Sequence, residues 1–140
     1  CNTGGGVISI DLTLQDLQVR SDPRIRFLAG DSAAPEMVRQ VASLLPADRG
    51  AAFMILDSDH TKAHVLRELE AWVPFLRAGD YLVVEDTCIN GHPVRPEYGP
   101  GPYEAVEAFL AVHPGLLRHD VERERKFGHT FAPLGHFVRV

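Results

Sequence analysis

Apolar residues along this chain fall by turns into short β-branched runs and into segments at helical spacing, the pattern of a parallel sheet covered by helices. Val7-Ile8-Ser9-Ile10-Asp11 is one such run and ends in an acid. Residues 24–30, with Ile25, Phe27 and Leu28, form a second, and both are expected to be buried strands. Over residues 35–45, Met37, Val38, Val41, Leu44 and Leu45 recur at helical spacing, with Pro35 suited to a first turn and Pro46 ending the run. The apolar stretch 51–56 lies between Gly50 and Asp57 and reads as a central strand buried on both faces. A helix follows directly, with Leu66, Leu69, Val73 and Leu76 on one face and Pro74 bending or ending it before Gly79. Tyr81-Leu82-Val83-Val84 is the next central strand and stops at Glu85-Asp86.

A loop rich in glycine and proline then runs over residues 87–102, long enough to be expected to meet a substrate. Residues 103–112 predict a helix started by Pro102, with Ala105, Val106, Phe109 and Leu110 inward. After Pro114-Gly115, residues 116–120 and 136–140 are expected to form two late strands, an antiparallel pair joined through the charged stretch 121–126. The class is therefore α/β, in one domain.

Composition narrows the functions. The 140 residues are 45% hydrophobic and 24% charged, the balance of a folded globular protein, and a net charge of -5 without a basic stripe argues against nucleic acid. Apolar runs are too short to span a membrane and no signal peptide precedes them, so a cytoplasmic location is expected. Cys1 and Cys88 are expected to be reduced bystanders. The chain opens on Cys1-Asn2-Thr3 and passes almost at once into a strand, so it is expected to begin inside a domain. Gly4-Gly5-Gly6 precedes a strand and does not open a helix, which makes it a turn and not a phosphate loop.

Ligands of open α/β sheets collect at the carboxyl ends of parallel strands. Here four successive strands end in acids: Asp11, Asp31, Asp57 and the Glu85-Asp86 pair. Any one of them is equally suited to cap a turn or helix. If the strands before Asp57 and Glu85 are neighbours, their ends lie about 5 Å apart and three carboxylates can converge on a hard cation, Mg²⁺ foremost. Asp11 and Asp31-Ser32 come next: a carboxylate at the end of the second strand of a nucleotide-binding sheet can accept from both ribose hydroxyls and Ser32 can meet an adenine edge, although Ser32 serves equally as an N-cap. His113, His119, His129 and His136 match no zinc spacing and are expected to be solvated loop residues. Glu122-Arg123-Glu124-Arg125-Lys126 reads as an exposed, self-paired charge run.

Several segments together resemble the cephalosporin hydroxylase and rhamnosyl O-methyltransferase group. They are Leu56-Asp57-Ser58-Asp59-His60, His64-Val65-Leu66-Arg67-Glu68-Leu69, Gly79-Asp80-Tyr81-Leu82-Val83-Val84-Glu85-Asp86-Thr87, Gly99-Pro100-Gly101-Pro102 and Ala105-Val106-Glu107-Ala108-Phe109-Leu110. Glu122-Arg123-Glu124-Arg125-Lys126-Phe127 and Thr130-Phe131-Ala132-Pro133-Leu134-Gly135 complete the set. The resemblance implies a Rossmann-like class I methyltransferase, a three-layer sandwich with a mostly parallel sheet and a late antiparallel strand. It implies Mg²⁺ on Asp57, Glu85 and Asp86, and S-adenosylmethionine contacted by Asp11 at the ribose, by Asp31 and Ser32 at the adenine, and by Asp57. His60, three positions beyond the first metal-binding Asp, is where related catechol enzymes carry a basic residue. It is the candidate catalytic base for a sugar or secondary-metabolite hydroxyl, or else a first-turn residue bonded to a carboxylate.

Such domains open with a strand and a glycine-rich turn that this chain does not show before its first acid, so residues 1–140 are expected to be the C-terminal part of a single methyltransferase domain, with the activity belonging to the intact parent. A small-molecule substrate and no nucleic-acid or membrane partner are expected, and a homo-oligomer is compatible with the sequence. Two alternatives remain. Asp57-Ser58-Asp59-His60-Thr61 fits the first motif of a haloacid-dehalogenase-type phosphatase, with Asp57 as nucleophile and Asp59 as acid/base, although a suitably placed Lys is lacking. A non-catalytic remnant of the methyltransferase fold is the other.

Overall fold

A computed structural model describes residues 5–15 and 22–140; Cys1 and Gly4, which enter two of the expectations above, lie outside the described residues. The chain divides into two compact units, residues 1–47 and 48–140.

In the first unit, β1 (Val7–Asp11) and β2 (Ile25–Ala29) pair in parallel, with Val7 opposite Ile25 and Asp11 opposite Ala29. Their β-branched content suits a pleated pair. The Gly30 N–H continues the ladder to the Asp11 carbonyl at 2.8 Å. α1 (Pro35–Leu44) starts with Pro35 in its first turn, where the missing N–H costs nothing, and buries Met37 and Val41. Its N-cap is Ala34, without a side-chain cap, so the capping role open to Ser32 is not taken.

The second unit is a four-stranded sheet in the order β3 (Phe53–Leu56), β4 (Tyr81–Val84), β6 (His136–Arg139), β5 (Leu117–His119). β3 and β4 are parallel, and β6 runs antiparallel to both of its neighbours, β4 and β5. α2 (Lys62–Trp72) and α3 (Pro102–Val112) pack on each other. Val65, Leu69, Trp72, Ala105, Val106 and Phe109 of the helices are buried, as are Leu56, Leu82, Val84 and Phe137 of the sheet. Thr61 caps α2 by accepting the His64 N–H at 3.3 Å. The helix ends at Trp72, before Pro74, in a 3-10 turn over Val73–Phe75.

Three expectations change. β3 is the edge strand of this sheet, so the alternation of its side chains leaves Phe53 62% and Ile55 52% exposed, while Leu56 on the other face is buried. The buried stripe of α2 runs through Val65 and Glu68, and Leu66 is only half-buried. The charged stretch after residue 120 forms the short helix α4 (Val121–Glu124), capped by Asp120 on the Arg123 N–H at 3.0 Å. Glu124 turns inward to accept from His119 Nε2 and, at 2.8 Å, from the Leu134 N–H, so the run is not simply self-paired.

A buried carboxylate fixes the start of the parallel pair. Asp80, 3% exposed, accepts Ala52 N–H at 2.7 Å just before β3, Arg77 N–H at 2.7 Å, and Arg49 Nη2 at 2.6 Å. Burial alone would raise its pKa, but the guanidinium and the backbone donors outweigh it and hold the carboxyl at about 2. An unfolded Asp titrates near 4, so this contribution is fully present above about pH 4 and is lost as pH falls toward 2. Asp80→Asn is expected to cost about 3 kcal/mol at neutral pH, by stranding Arg49, and much less near pH 2, where the wild-type carboxyl is itself protonating. Urea unfolding of both proteins across that pH range checks this; a penalty independent of pH would sink the assignment.

Candidate metal centre

The parallel register carries Leu56 opposite Val84, and the Glu85 N–H donates to the Leu56 carbonyl at 2.9 Å. The residues that follow β3 and β4 therefore emerge side by side. Asp86 turns out of β4 with a φ of 51°, a left-handed conformation that costs a side-chain-bearing residue roughly 1 kcal/mol and that Asp tolerates better than most. Such strain gathers at functional sites. His60 lies between the two strand ends, its Nε2 at 3.3 Å from Asp57 Oδ1 and 3.5 Å from Asp86 Oδ2.

Asp57, His60 and Asp86 each bring one ligand atom within 4.8 Å of the others, an arrangement able to hold a metal ion. Asp57 is the most open of them, its side chain 60% exposed against 27% for His60. Glu85 stands outside this tight group, yet burial, followed by the charges of Asp57 and Asp86, pushes its carboxyl above the usual range. Carboxylates crowded in this way repel, and a divalent cation would relieve the repulsion.

The surrounding chain is pinned to the same place. Lys62 N–H donates to the Pro100 carbonyl at 3.0 Å, and a β-carbon on Gly101 would lie 3.3 Å from the His60 carbonyl oxygen. The segment 99–101 thus lies against the backbone that carries His60. On the other side, Cys88 N–H bonds the Phe131 carbonyl at 3.2 Å, which brings the turn after Thr130 beside Asp86.

His60 precedes the cap Thr61, so it is not in the first turn of α2, although it does contact a carboxylate as that reading required. Asp59, the acid/base of the phosphatase alternative, accepts the Thr61 N–H at 2.8 Å. The backbone and side chain of Thr61 hold its pKa below the usual carboxylate range, which suits a turn and not a proton shuttle. In the first unit Asp11 and Asp31 follow neighbouring parallel strands: Asp11 Oδ1 accepts the Thr13 N–H at 3.3 Å and Asp31 Oδ1 the Ala33 N–H at 2.8 Å. The late histidines are partnered and not merely solvated: His113 with Glu70 at 3.0 Å, His119 with Glu124, His129 edge-on to the Phe131 ring with centroids 5.2 Å apart, and His136 with Tyr81 at 3.5 Å and Thr130 at 3.4 Å.

Comparison with known proteins shows the family and the fold. The family described as "Rhamnosyl O-methyltransferase/CmcI" matches residues 2–140. The chain is 48% identical over 134 residues to a rhamnosyl O-methyltransferase of Mycobacterium leprae, covering 95% of this chain and 58% of that protein. It is 49% identical over 124 residues to one of Mycobacterium tuberculosis, covering 89% of this chain and 51% of that protein. The chain thus spans little more than half the length of these relatives. Among solved structures, the MycE methyltransferase of the mycinamycin biosynthetic pathway, in complex with Mg and SAH, aligns with a TM-score of 0.53 and 23% identity, over 83% of this chain and 30% of that one. A MycE complex with Mg, SAH and mycinamycin VI aligns at 0.53 and 19%, over 81% of this chain and 40% of that one. These likenesses show a Rossmann-like α/β fold.

If Asp57 is free to bind a cation and is not a structural cap, its charge is dispensable for folding. Asp57→Asn in the presence of EDTA is expected to leave stability unchanged, or to raise it by less than about 1 kcal/mol through reduced repulsion. A loss above about 2 kcal/mol in urea unfolding would mark the residue as a cap instead.

Proposed function

The chain belongs to the rhamnosyl O-methyltransferase/CmcI family, and we propose on that premise that it is the C-terminal part of a single methyltransferase domain. The intact domain transfers a methyl group from S-adenosylmethionine to a hydroxyl of a sugar or secondary metabolite, and does so with Mg²⁺. The observation that carries this reading is the meeting of Asp57, His60 and Asp86 beyond two parallel strands, in a chain with named rhamnosyl O-methyltransferases as relatives. The exposed face of β3, with Phe53 and Ile55 uncovered, and the share of its relatives that the chain spans support its being part of a larger unit.

The donors suit a hard divalent ion, since carboxylate oxygens dominate and the raised Glu85 carboxyl signals negative charge in need of compensation. In this reading Asp57, Glu85 and Asp86 hold Mg²⁺, which would supply the Lewis acidity that makes an acceptor hydroxyl easier to ionise. His60, beside both strand ends, is the group assigned to take the hydroxyl proton. Asp57 and Asp86, 3.3 and 3.5 Å from its Nε2, keep the ring in place. The electrophilic methyl is that of the bound donor, with Asp11 assigned to its ribose, Asp31 and Ser32 to its adenine, and Asp57 as a further donor-binding residue. Asp11 and Asp31 suit those roles because each stands at the carboxyl end of a parallel strand, where such sheets collect their ligands. A cytoplasmic site of action accords with the free, buried thiol of Cys88.

The experiment uses the full-length protein. Calorimetry with S-adenosylhomocysteine is expected to show binding, and methyl transfer to a rhamnoside is expected to fall by ~10²-fold or more with EDTA or with Asp57→Ala. His60→Gln is expected to lower kcat with little change in donor affinity. An intact, folded protein that binds no S-adenosylhomocysteine would overturn the methyltransferase reading.

A further inference from the structure

Outside the acidic cluster, one carboxylate gathers both sides of the long loop between β4 and α3. Glu104 stands in the first turn of α3 and accepts the Gly101 N–H at 2.7 Å through Oε2, half of a capping box. Its Oε1 accepts from Asn90 Nδ2 at 2.7 Å and from His92 Nε2 at 2.9 Å. Asn90 in turn accepts the Gly99 N–H at 3.0 Å through its side-chain oxygen, and the His92 ring stacks on Tyr103 with centroids 3.7 Å apart. Burial would raise the Glu104 pKa, but the Gly101 N–H, His92 and Asn90 outweigh it and hold the carboxyl at about 2. The clamp is therefore charged at any ordinary pH.

The ends of the loop rest on the two halves of the candidate metal centre. It leaves β4 at Asp86, and it returns at Pro100 and Gly101 against the backbone of His60 and Lys62. Between them, Gly91 N–H bonds the Val94 carbonyl at 2.8 Å and Val94 N–H the Cys88 carbonyl at 3.0 Å, so the loop is internally ordered. Yet its outer part leaves Val94 42% and Tyr98 41% exposed. An apolar and an aromatic side chain are thus held open to solvent on a braced loop, and side chains of this kind can pack on the C–H face of a sugar ring.

We propose that Glu104 is a positioning residue: by holding Asn90, His92 and Gly101 together it sets the 86–101 loop, with Val94 and Tyr98, as the wall on which a sugar-ring acceptor rests beside Asp57, His60 and Asp86. This rests on the methyltransferase reading above. Glu104 itself touches neither acceptor nor donor; it acts through the loop.

The test measures hydrogen exchange and kinetics on the full-length protein, with p-nitrophenyl α-L-rhamnoside as acceptor. In Glu104→Ala, exchange at the amides of Gly91, Val94 and Gly99 is expected to rise by ~10-fold or more while amides of β4 and of the later turns of α3 stay protected. The KM for the rhamnoside is expected to rise by ~10-fold or more, with kcat within about 3-fold and the donor KM unchanged. Glu104→Gln, which keeps one acceptor oxygen, should fall between. Asn90→Ala approaches the same clamp from the loop side and carries the test if Glu104→Ala does not fold; it should show the same KM pattern. Unchanged loop exchange in these variants, or a fall in kcat with an unaltered rhamnoside KM, overturns the proposal. A wild-type protein without methyl transfer sinks the methyltransferase reading, and the acceptor role with it, whereas the exchange data decide the clamp in either case.

Discussion

The carboxylate of Asp80 joins the beginnings of two parallel strands, accepting Ala52 N–H ahead of β3 and Arg77 N–H ahead of β4 while paired with Arg49. Parallel neighbours have no tight turn to set their register, because the connection between them is a whole helix. A slip of one residue would turn every side chain of β3 to the opposite face. By fixing the entry of both strands, Asp80 determines what lies beside what at their exits, four residues on. Leu56 meets Val84 there, Glu85 N–H bonds Leu56, and Asp57 leaves the sheet next to Asp86. The chemistry at one end of the pair is thus set by an ion pair at the other.

Much of this is legible in the amino-acid sequence. Strand–helix alternation, the bounds of β1, β2, β4 and α1, and the late antiparallel pair follow from periodicity and from Pro and Gly punctuation, signals that depend on neighbouring residues alone. The meeting of Asp57 with Asp86 is legible in the weaker sense that acids at the ends of adjacent parallel strands have nowhere else to go. What the sequence hides depends on distant parts of the chain. An apolar run such as the one through Phe53 and Ile55 looks the same whether its strand is central or at an edge, because that is settled by which strands pair with it. Charged positions mislead for the same reason: Glu124 reads as part of an exposed run until packing gives it two inward partners. Gly135 shows the limit of local reasoning. It sits directly against the Val84 carbonyl and donates its own N–H to Ala132, so no side chain fits there, and nothing in the residues around it says so.

The acids of this chain separate into two kinds, and the separation sharpens the functional reading. Asp80 and Glu104 are each surrounded by protein donors, a guanidinium and two backbone N–H groups in one case and a backbone N–H, an amide and an imidazole in the other. Both are held at a pKa of about 2 although burial works against the charge. Asp59 and Asp120 belong with them as turn and helix caps bonded to backbone N–H groups, their carboxyls also below the usual range. In these the protein supplies the hydrogen-bond donors, with a guanidinium among them at Asp80, and the carboxylate is a structural part whose work is finished when the chain folds.

Glu85 is the opposite case. Burial, followed by the charges of Asp57 and Asp86, raises its carboxyl where those of Asp80 and Glu104 fall. A fold that can neutralise buried acids so effectively elsewhere leaves the strand-end group short of positive charge, with one imidazole facing two carboxylates in it. Asp57, His60 and Asp86 bring ligand atoms within 4.8 Å of one another, a group that could hold a metal ion, and a cation there would relieve the crowding. The contrast also explains why the clamp at Glu104 and the cluster at Asp57 are complementary parts of one arrangement. The first uses its charge inside the protein to hold a loop, and the second leaves its charge without protein donors enough to match it.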